Sequence, residues 1–111
     1  MAEYKRYITQ IQENGNVMIS EDVVATIVAH AAQEVEGVDS LIAKKSWGKS
    51  IKIVIAEDNS LIIDCNVTVK FGNSVVSVAK NVQEHVTNEV ESMTGVKVAE
   101  MNVNVCGIGR Q

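Results

Sequence analysis

The stretch that decides the fold is residues 61–70, LIIDCNVTVK. Its odd-numbered positions are all apolar, whereas its even-numbered positions are polar except at Ile62. Because successive side chains of a strand point to opposite faces, this alternation predicts a strand with one face on a core and one toward water. Residues 51–55, IKIVI, predict a second strand, and a turn at 57–60 joins the two as an antiparallel hairpin.

One helix is predicted on each side of this hairpin. The first covers about residues 21–36, because Ser20 is a suitable N-cap, apolar residues follow at helical spacing, and Gly37 stands at the left-handed C-terminal position. The second begins after a cap at Asn73 or Ser74 and ends at Gly95. Its apolar stripe is mostly valine, which has a low helix propensity, so this helix must depend on burial against a core.

The other segments are less regular. Residues 38–50 lack periodicity and are predicted to form a loop. Residues 96–105 predict a last strand, whose alternation slips by one at Ala99–Glu100 and indicates a bulge. The predicted fold is therefore α+β, of order (β)αββαβ, with a small, mostly antiparallel sheet and two helices packed on one face.

The chain is predicted to hold a single α+β domain at residues 15–106. Residues 1–14 form either an N-terminal arm or a short hairpin that turns at Asn14–Gly15, since their pattern favours neither. Residues 107–111 are expected to be a C-terminal tail.

Composition restricts the class of protein. The 111 residues are 46% hydrophobic with a net charge of -4, which indicates a soluble domain without general attraction to phosphate. No apolar run approaches the roughly 20 residues that span a bilayer. The polar N-terminus leads into no signal-peptide core, so a cytoplasmic protein with no membrane span is expected.

Few residues carry chemistry. Cys65 is in phase with the apolar face of its strand, where a thiol is inert, and Cys106 is in phase with polar positions. No histidine is near either thiol in sequence, so no catalytic residue is predicted. His30 and His85 each have a glutamate four residues later, which predicts a surface contact across one helical turn and no metal site. No cofactor is expected.

Two surfaces are candidates for a partner. One is the polar side of the sheet, with Asp64, Asn66, Asn102 and Asn104. The other is a loop that joins the only tryptophan to a set of lysines: Lys44, Lys45, Trp47 and Lys49. Two interpretations of this loop stay open. Either Trp47 packs over the edge of the core beside solvated lysines, or the loop grips an acidic partner, a nucleic acid or a membrane surface.

Several stretches together resemble the alkaline-shock-protein family, found mainly in Gram-positive bacteria. They are residues 17–38, residues 67–72, residues 78–84, and the run from Met93 to Val105, so the resemblance covers roughly residues 15–106. It implies a cytoplasmic protein of cell-envelope homeostasis or stress, without established enzymatic activity. Some family members associate with the membrane through a separate anchor protein, and some self-assemble. The connection after the first helix, often longer and basic in the family, is short here.

The leading hypothesis is therefore a non-catalytic interaction or assembly protein in cell-envelope homeostasis or stress response. Its expected partners are a protein, in one version a membrane-anchored one, and further copies of itself. The alternative is a small RNA-binding domain, which the acidic charge, the four aromatic residues and the lack of a GxxG loop make less favourable. An enzyme ranks last.

Overall fold

The computed structural model describes residues 7–41 and 51–109. An N-terminal hairpin is followed by a helix, three strands, a second helix and a last strand. The elements in chain order are β1 (Tyr7–Gln12), β2 (Gly15–Ser20), α1 (Glu21–Glu34), β3 (Val38–Leu41), β4 (Ile51–Ile55), β5 (Leu61–Lys70), α2 (Val75–Thr94) and β6 (Val98–Gly109). This order confirms the predicted α+β class.

Strand β5 is the centre of the main sheet. Along one side it pairs antiparallel with β4 through residues 61–65 and with β3 through residues 67–69. Along the other side it pairs with β6, and these two strands are parallel because α2 carries the chain back to the start of β5. Three of the four pairings among the described strands are antiparallel, which confirms the predicted mostly antiparallel character.

The core lies between one face of this sheet and the two helices. The odd-numbered residues of β5, from Leu61 to Val69, are fully buried, as the alternation predicts. Helix α1 packs against α2, β3 and β4, and α2 packs against β6. The apolar stripe of α2 is buried at Val78, Val82, Val86 and Val90, which is the burial that its poor helix propensity requires.

The first helix is shorter than predicted, and the loop after it is partly a strand. Helix α1 ends at Glu34 because Val35 takes an extended conformation, while Gly37 adopts the left-handed region at φ 99°. Residues 38–41 pair with β5 as strand β3, so the prediction of a loop was wrong for them. Residues 42–50 lie outside the described residues.

The second helix begins and ends where local signals predict, whereas the last strand begins two residues later than predicted and runs into residues expected to form the tail. The Ser74 hydroxyl accepts a hydrogen bond from the Ser77 amide, and Gly95 ends α2 in the left-handed conformation at φ 71°. Strand β6 has the predicted bulge at Ala99, which is skipped in the register with β5. A second shift at Cys106 was not predicted, and the strand continues to Gly109.

The N-terminal segment is a hairpin over residues 7–20, the second of the two alternatives that the sequence leaves open. Its register pairs Gln12 with Gly15, so the loop is Glu13–Asn14, one residue earlier than predicted. Ile8 is fully buried against the domain, whereas the far end of the hairpin exposes Ile11. The division of the chain into an arm, a domain and a tail stays a prediction.

Candidate interaction surface

The four polar residues predicted on the sheet lie together on the face opposite the helices. The parallel register places Asp64 beside Asn102 and Asn66 beside Asn104. Asp64, Asn66 and Asn102 are half-buried, and Asn104 is exposed. Asn104 donates from Nδ2 to Oδ1 of Asn66 at 2.9 Å. We call these four residues the amide row.

The amide row continues onto the neighbouring strand. Lys52 of β4 is the register partner of Asp64 and is exposed on the same face. Side chains at register positions of paired strands are direct neighbours, so Lys52, Asp64 and Asn102 cross the sheet in one line. Amide groups both donate and accept hydrogen bonds, and this surface can therefore bind a polar partner without attracting one charge sign in particular.

The second predicted surface cannot be placed. Lys44, Lys45, Trp47 and Lys49 all fall outside the described residues, and both interpretations of that loop stay predictions.

Side chains of α2 reach the edge of the sheet at β6, which the sequence did not indicate. Gln83 donates from Nε2 to the carbonyl oxygen of Met101 at 2.9 Å, and Glu91 accepts at Oε2 from the amide of Val98 at 2.9 Å. An open groove of about 640 Å³ lies between the same two elements. Gln83 and Glu91 resemble ordinary solvated helix residues in sequence, because nothing local reveals a contact with a strand further along the chain.

The thiols occupy contrasting environments. Cys65 is fully buried, as its phase predicts, and this burial raises the pKa of its thiol to about 12. Cys106 is exposed and contacts the carbonyl oxygen of Asn104 at 3.7 Å. A thiol with a pKa as high as that of Cys65 is not a nucleophile near neutral pH.

The histidine contacts differ from the prediction. His85 Nε2 lies 2.8 Å from Glu34 Oε1 and therefore joins α2 to α1, whereas the sequence predicted a contact with Glu89 one turn away. The side chains of His85 and Glu34 are 39% and 63% exposed, so solvent screens the pair and it contributes at most about 1 kcal/mol. Among residues 7–41 and 51–109, no three His, Cys, Asp or Glu side chains converge as a metal site would need. Neither described helix is long and apolar enough to cross a membrane.

Comparison with known proteins gives the chain a family. The model of the alkaline-shock-protein family, described as having a cell envelope-related function, matches residues 9–110. The uncharacterized protein YqhY of Bacillus subtilis (strain 168) is 32% identical over 105 residues, covering 85% of this chain and 77% of that protein. The uncharacterized protein Spy1535 of Streptococcus pyogenes serotype M6 is 34% identical over 102 residues, covering 85% and 79%.

Solved structures of the MamM CTD share the fold. One has a TM-score of 0.52 and 18% identity and covers 81% of this chain and 94% of its own. Another has a TM-score of 0.53 with coverage of 81% and 96%. The fold likeness agrees with the α+β architecture, and the family match confirms the resemblance drawn from sequence. Because the family model spans nearly the whole chain, the protein belongs to the alkaline-shock-protein family, whose function is related to the cell envelope.

Proposed function

We propose that this chain is a non-catalytic interaction and assembly protein in cell-envelope homeostasis or stress response. The observation that carries the proposal is the amide row, where Asp64, Asn66, Asn102 and Asn104 lie side by side on a sheet face away from both helices. The envelope setting comes from the family match. The role in binding goes beyond that match and rests on the amide row.

The chemistry of the surface supports a protein partner. Its hydrogen-bonding groups are mainly amides, flanked by one carboxylate at Asp64 and one lysine at Lys52. A surface that binds nucleic acid needs clustered positive charge, whereas this chain has a net charge of -4. We therefore keep RNA binding as an outcome of the test.

The chemistry of the interior supports the absence of catalysis. The fully buried Cys65 has a pKa raised to about 12, and the described residues hold no converging group of metal-ligating side chains. We further propose that the protein works in the cytoplasm and reaches the membrane through an anchored partner, as the family resemblance implies.

The test is site-specific photo-crosslinking in the native host, with the membrane fraction retained. A photoreactive residue replaces Lys52, which is exposed beside the amide row, or Lys80, which is exposed on α2 and serves as the matched control. We expect protein adducts from position 52 that are several-fold more abundant than those from position 80. Equal yields from the two positions, or adducts to RNA instead of protein, would contradict the proposal.

A further inference from the structure

The outer edge of β6, on the side away from β5, carries backbone groups that can form hydrogen bonds with another strand. The Leu61 amide donates to the Lys97 carbonyl at 2.9 Å, which fixes the phase of the parallel ladder. In such a ladder alternate residues direct their backbone groups to the neighbouring strand. With the register of β6, the amides and carbonyls of Val98, Met101, Val103 and Val105 therefore point away from β5.

Helix α2 satisfies only the first part of this edge. Glu91 accepts from the Val98 amide, and Gln83 donates to the Met101 carbonyl. Within residues 7–41 and 51–109, β6 pairs with β5 alone, so no described strand satisfies the outward groups of Val103 and Val105. An edge with unpaired amides and carbonyls is a template for another strand.

Between its two register shifts, this edge lacks the usual protection against pairing. Natural edge strands carry lysine or proline, or they bulge. Strand β6 contains neither residue type, and its single charge is Glu100. Its irregularities at Ala99 and Cys106 flank residues 100–105, which stay in regular register with β5.

We propose that β6 pairs antiparallel with β6 of a second copy of this chain, about a twofold axis at Asn104. Val103 and Val105 of each copy then exchange amide–carbonyl hydrogen bonds with Val105 and Val103 of the other. A twofold register centred on Val103 would require the Met101 carbonyl, which already accepts from Gln83. A register centred on Val105 would place Val103 opposite Gly107, beyond the shift at Cys106. The contact from α2 and the shift at Cys106 together select the register.

A second copy fits this edge because the strand is complementary to itself. Residues 102–106 carry no charge, so the pairing brings no like charges together. Asn104 faces Asn104 of the second copy, which extends the hydrogen-bonded pair of Asn66 and Asn104 across the axis. Such a twofold contact also closes the assembly, as isologous interfaces do. Pairing of two strand edges covers little area, and we expect a weak dimer seen at high concentration.

The inference rests on the proposed function and deepens it, because it names a second copy as one partner. Its experiment is disulfide trapping of Asn104→Cys in a Cys106→Ser background at high protein concentration. Residues facing each other at a non-hydrogen-bonded antiparallel position have Cα atoms about 4.5 Å apart, within the range that a disulfide bridges. The matched control is Asn102→Cys, whose twofold mates lie about 13 Å apart along the strands.

We expect a covalent dimer from position 104 at least ten-fold in excess of that from position 102. Equal yields, or a higher yield at position 102, would overturn the register. If the cysteine variant fails to fold, sedimentation tests the same proposal. Asn104→Lys should be monomeric at a concentration where wild type and Asn81→Lys, which is exposed on α2, form dimers. A wild type that stays monomeric at the highest concentration overturns the proposal. The Lys52 crosslink of the otherwise unaltered chain reports on the proposed function separately, because adducts to a protein other than this chain support that function whether or not β6 pairs.

Discussion

Gln83 of α2 donates from its side-chain Nε2 to the carbonyl oxygen of Met101, 2.9 Å away on the outer edge of β6. Glu91, two turns later on the same helix, accepts from the Val98 amide in the same way. Helix α2 therefore packs on one face of the sheet and also supplies side-chain hydrogen bonds to the edge of β6 as far as Met101. Beyond that point the edge is open to a partner strand.

Gln83→Ala should lower the free energy of unfolding by about 1 kcal/mol, because the Met101 carbonyl loses its protein donor. Chemical denaturation measures this loss. Asn81→Ala is the control variant, since Asn81 is exposed on the same helix. That substitution should stay within about 0.5 kcal/mol of wild type. Equal effects at the two positions would mean that the Gln83 contact adds no stability.

Asn59 should matter for attachment of the hairpin. It sits at φ 72°, and its Nδ2 donates to the Thr9 carbonyl at 2.6 Å. Asn59→Gly keeps the backbone conformation and loses the hydrogen bond, which should lower the free energy of unfolding by about 1 kcal/mol. Asn59→Ala also places alanine in the left-handed backbone conformation, and this strain should lower the free energy of unfolding by about 1 kcal/mol more.

Thermal unfolding of the two Asn59 variants measures this difference. A glycine variant as stable as wild type would show that the bond to Thr9 contributes nothing. An alanine variant as stable as the glycine variant would show that backbone strain at this position contributes nothing.

Gly37→Ala should be destabilising by about 2 kcal/mol or more, because a Cβ there would lie 2.6 Å from Cγ2 of Val78. Gly72→Ala is the matched control: Gly72 has φ 97°, close to the φ 99° of Gly37, but nothing lies within 4 Å of its added Cβ. The difference between the two denaturation midpoints isolates the contact. If both variants lose the same stability, backbone strain alone explains Gly37.

Cys65 should make stability fall at alkaline pH. Its folded pKa is raised to about 12, above the value of about 8.5 in an unfolded chain. The folded state therefore retains the thiol proton longer. The contribution of this thiol to the free energy of unfolding is complete below about pH 8.5. It is lost as the pH rises toward 12, by at most about 1.4 kcal/mol per pH unit.

Urea denaturation at several pH values between about 8 and 10.5 tests this slope. Cys65→Ala should show a shallower decline than wild type, whereas Cys106→Ala, at the exposed thiol, should follow wild type. Parallel declines in all three proteins would refute the role of the buried thiol.

Local signals predicted most of the fold. The alternation of residues 61–70 was sufficient for β5 because its two faces meet different surroundings, and Ser74 and Gly95 marked the ends of α2. Strand β3 was missed because it has only four residues and its partner lies at residues 67–69, far along the chain. No local pattern carries that information.

The candidate site was likewise predictable where the signal is local and not where it depends on long-range contacts. Alternation placed Asp64 and Asn66 on the polar face, and the Ala99 bulge was visible as a slip in the pattern. The pairing of Asn66 with Asn104 depends on the parallel register, which only the folded chain reveals. The reach of Gln83 to Met101 is likewise a long-range contact, and the role of the amide row in binding stays a prediction.

Residue-resolved amide hydrogen exchange, measured at low and high protein concentration, tests assembly through β6 most directly. We expect the Val103 and Val105 amides to exchange fast in dilute solution and to gain protection as the protein concentration rises. The Val98 amide, bound to Glu91, and the Asn104 amide, directed to β5, should be protected at both concentrations. Fast exchange of the Val103 and Val105 amides at every concentration would show that β6 does not pair with a second copy.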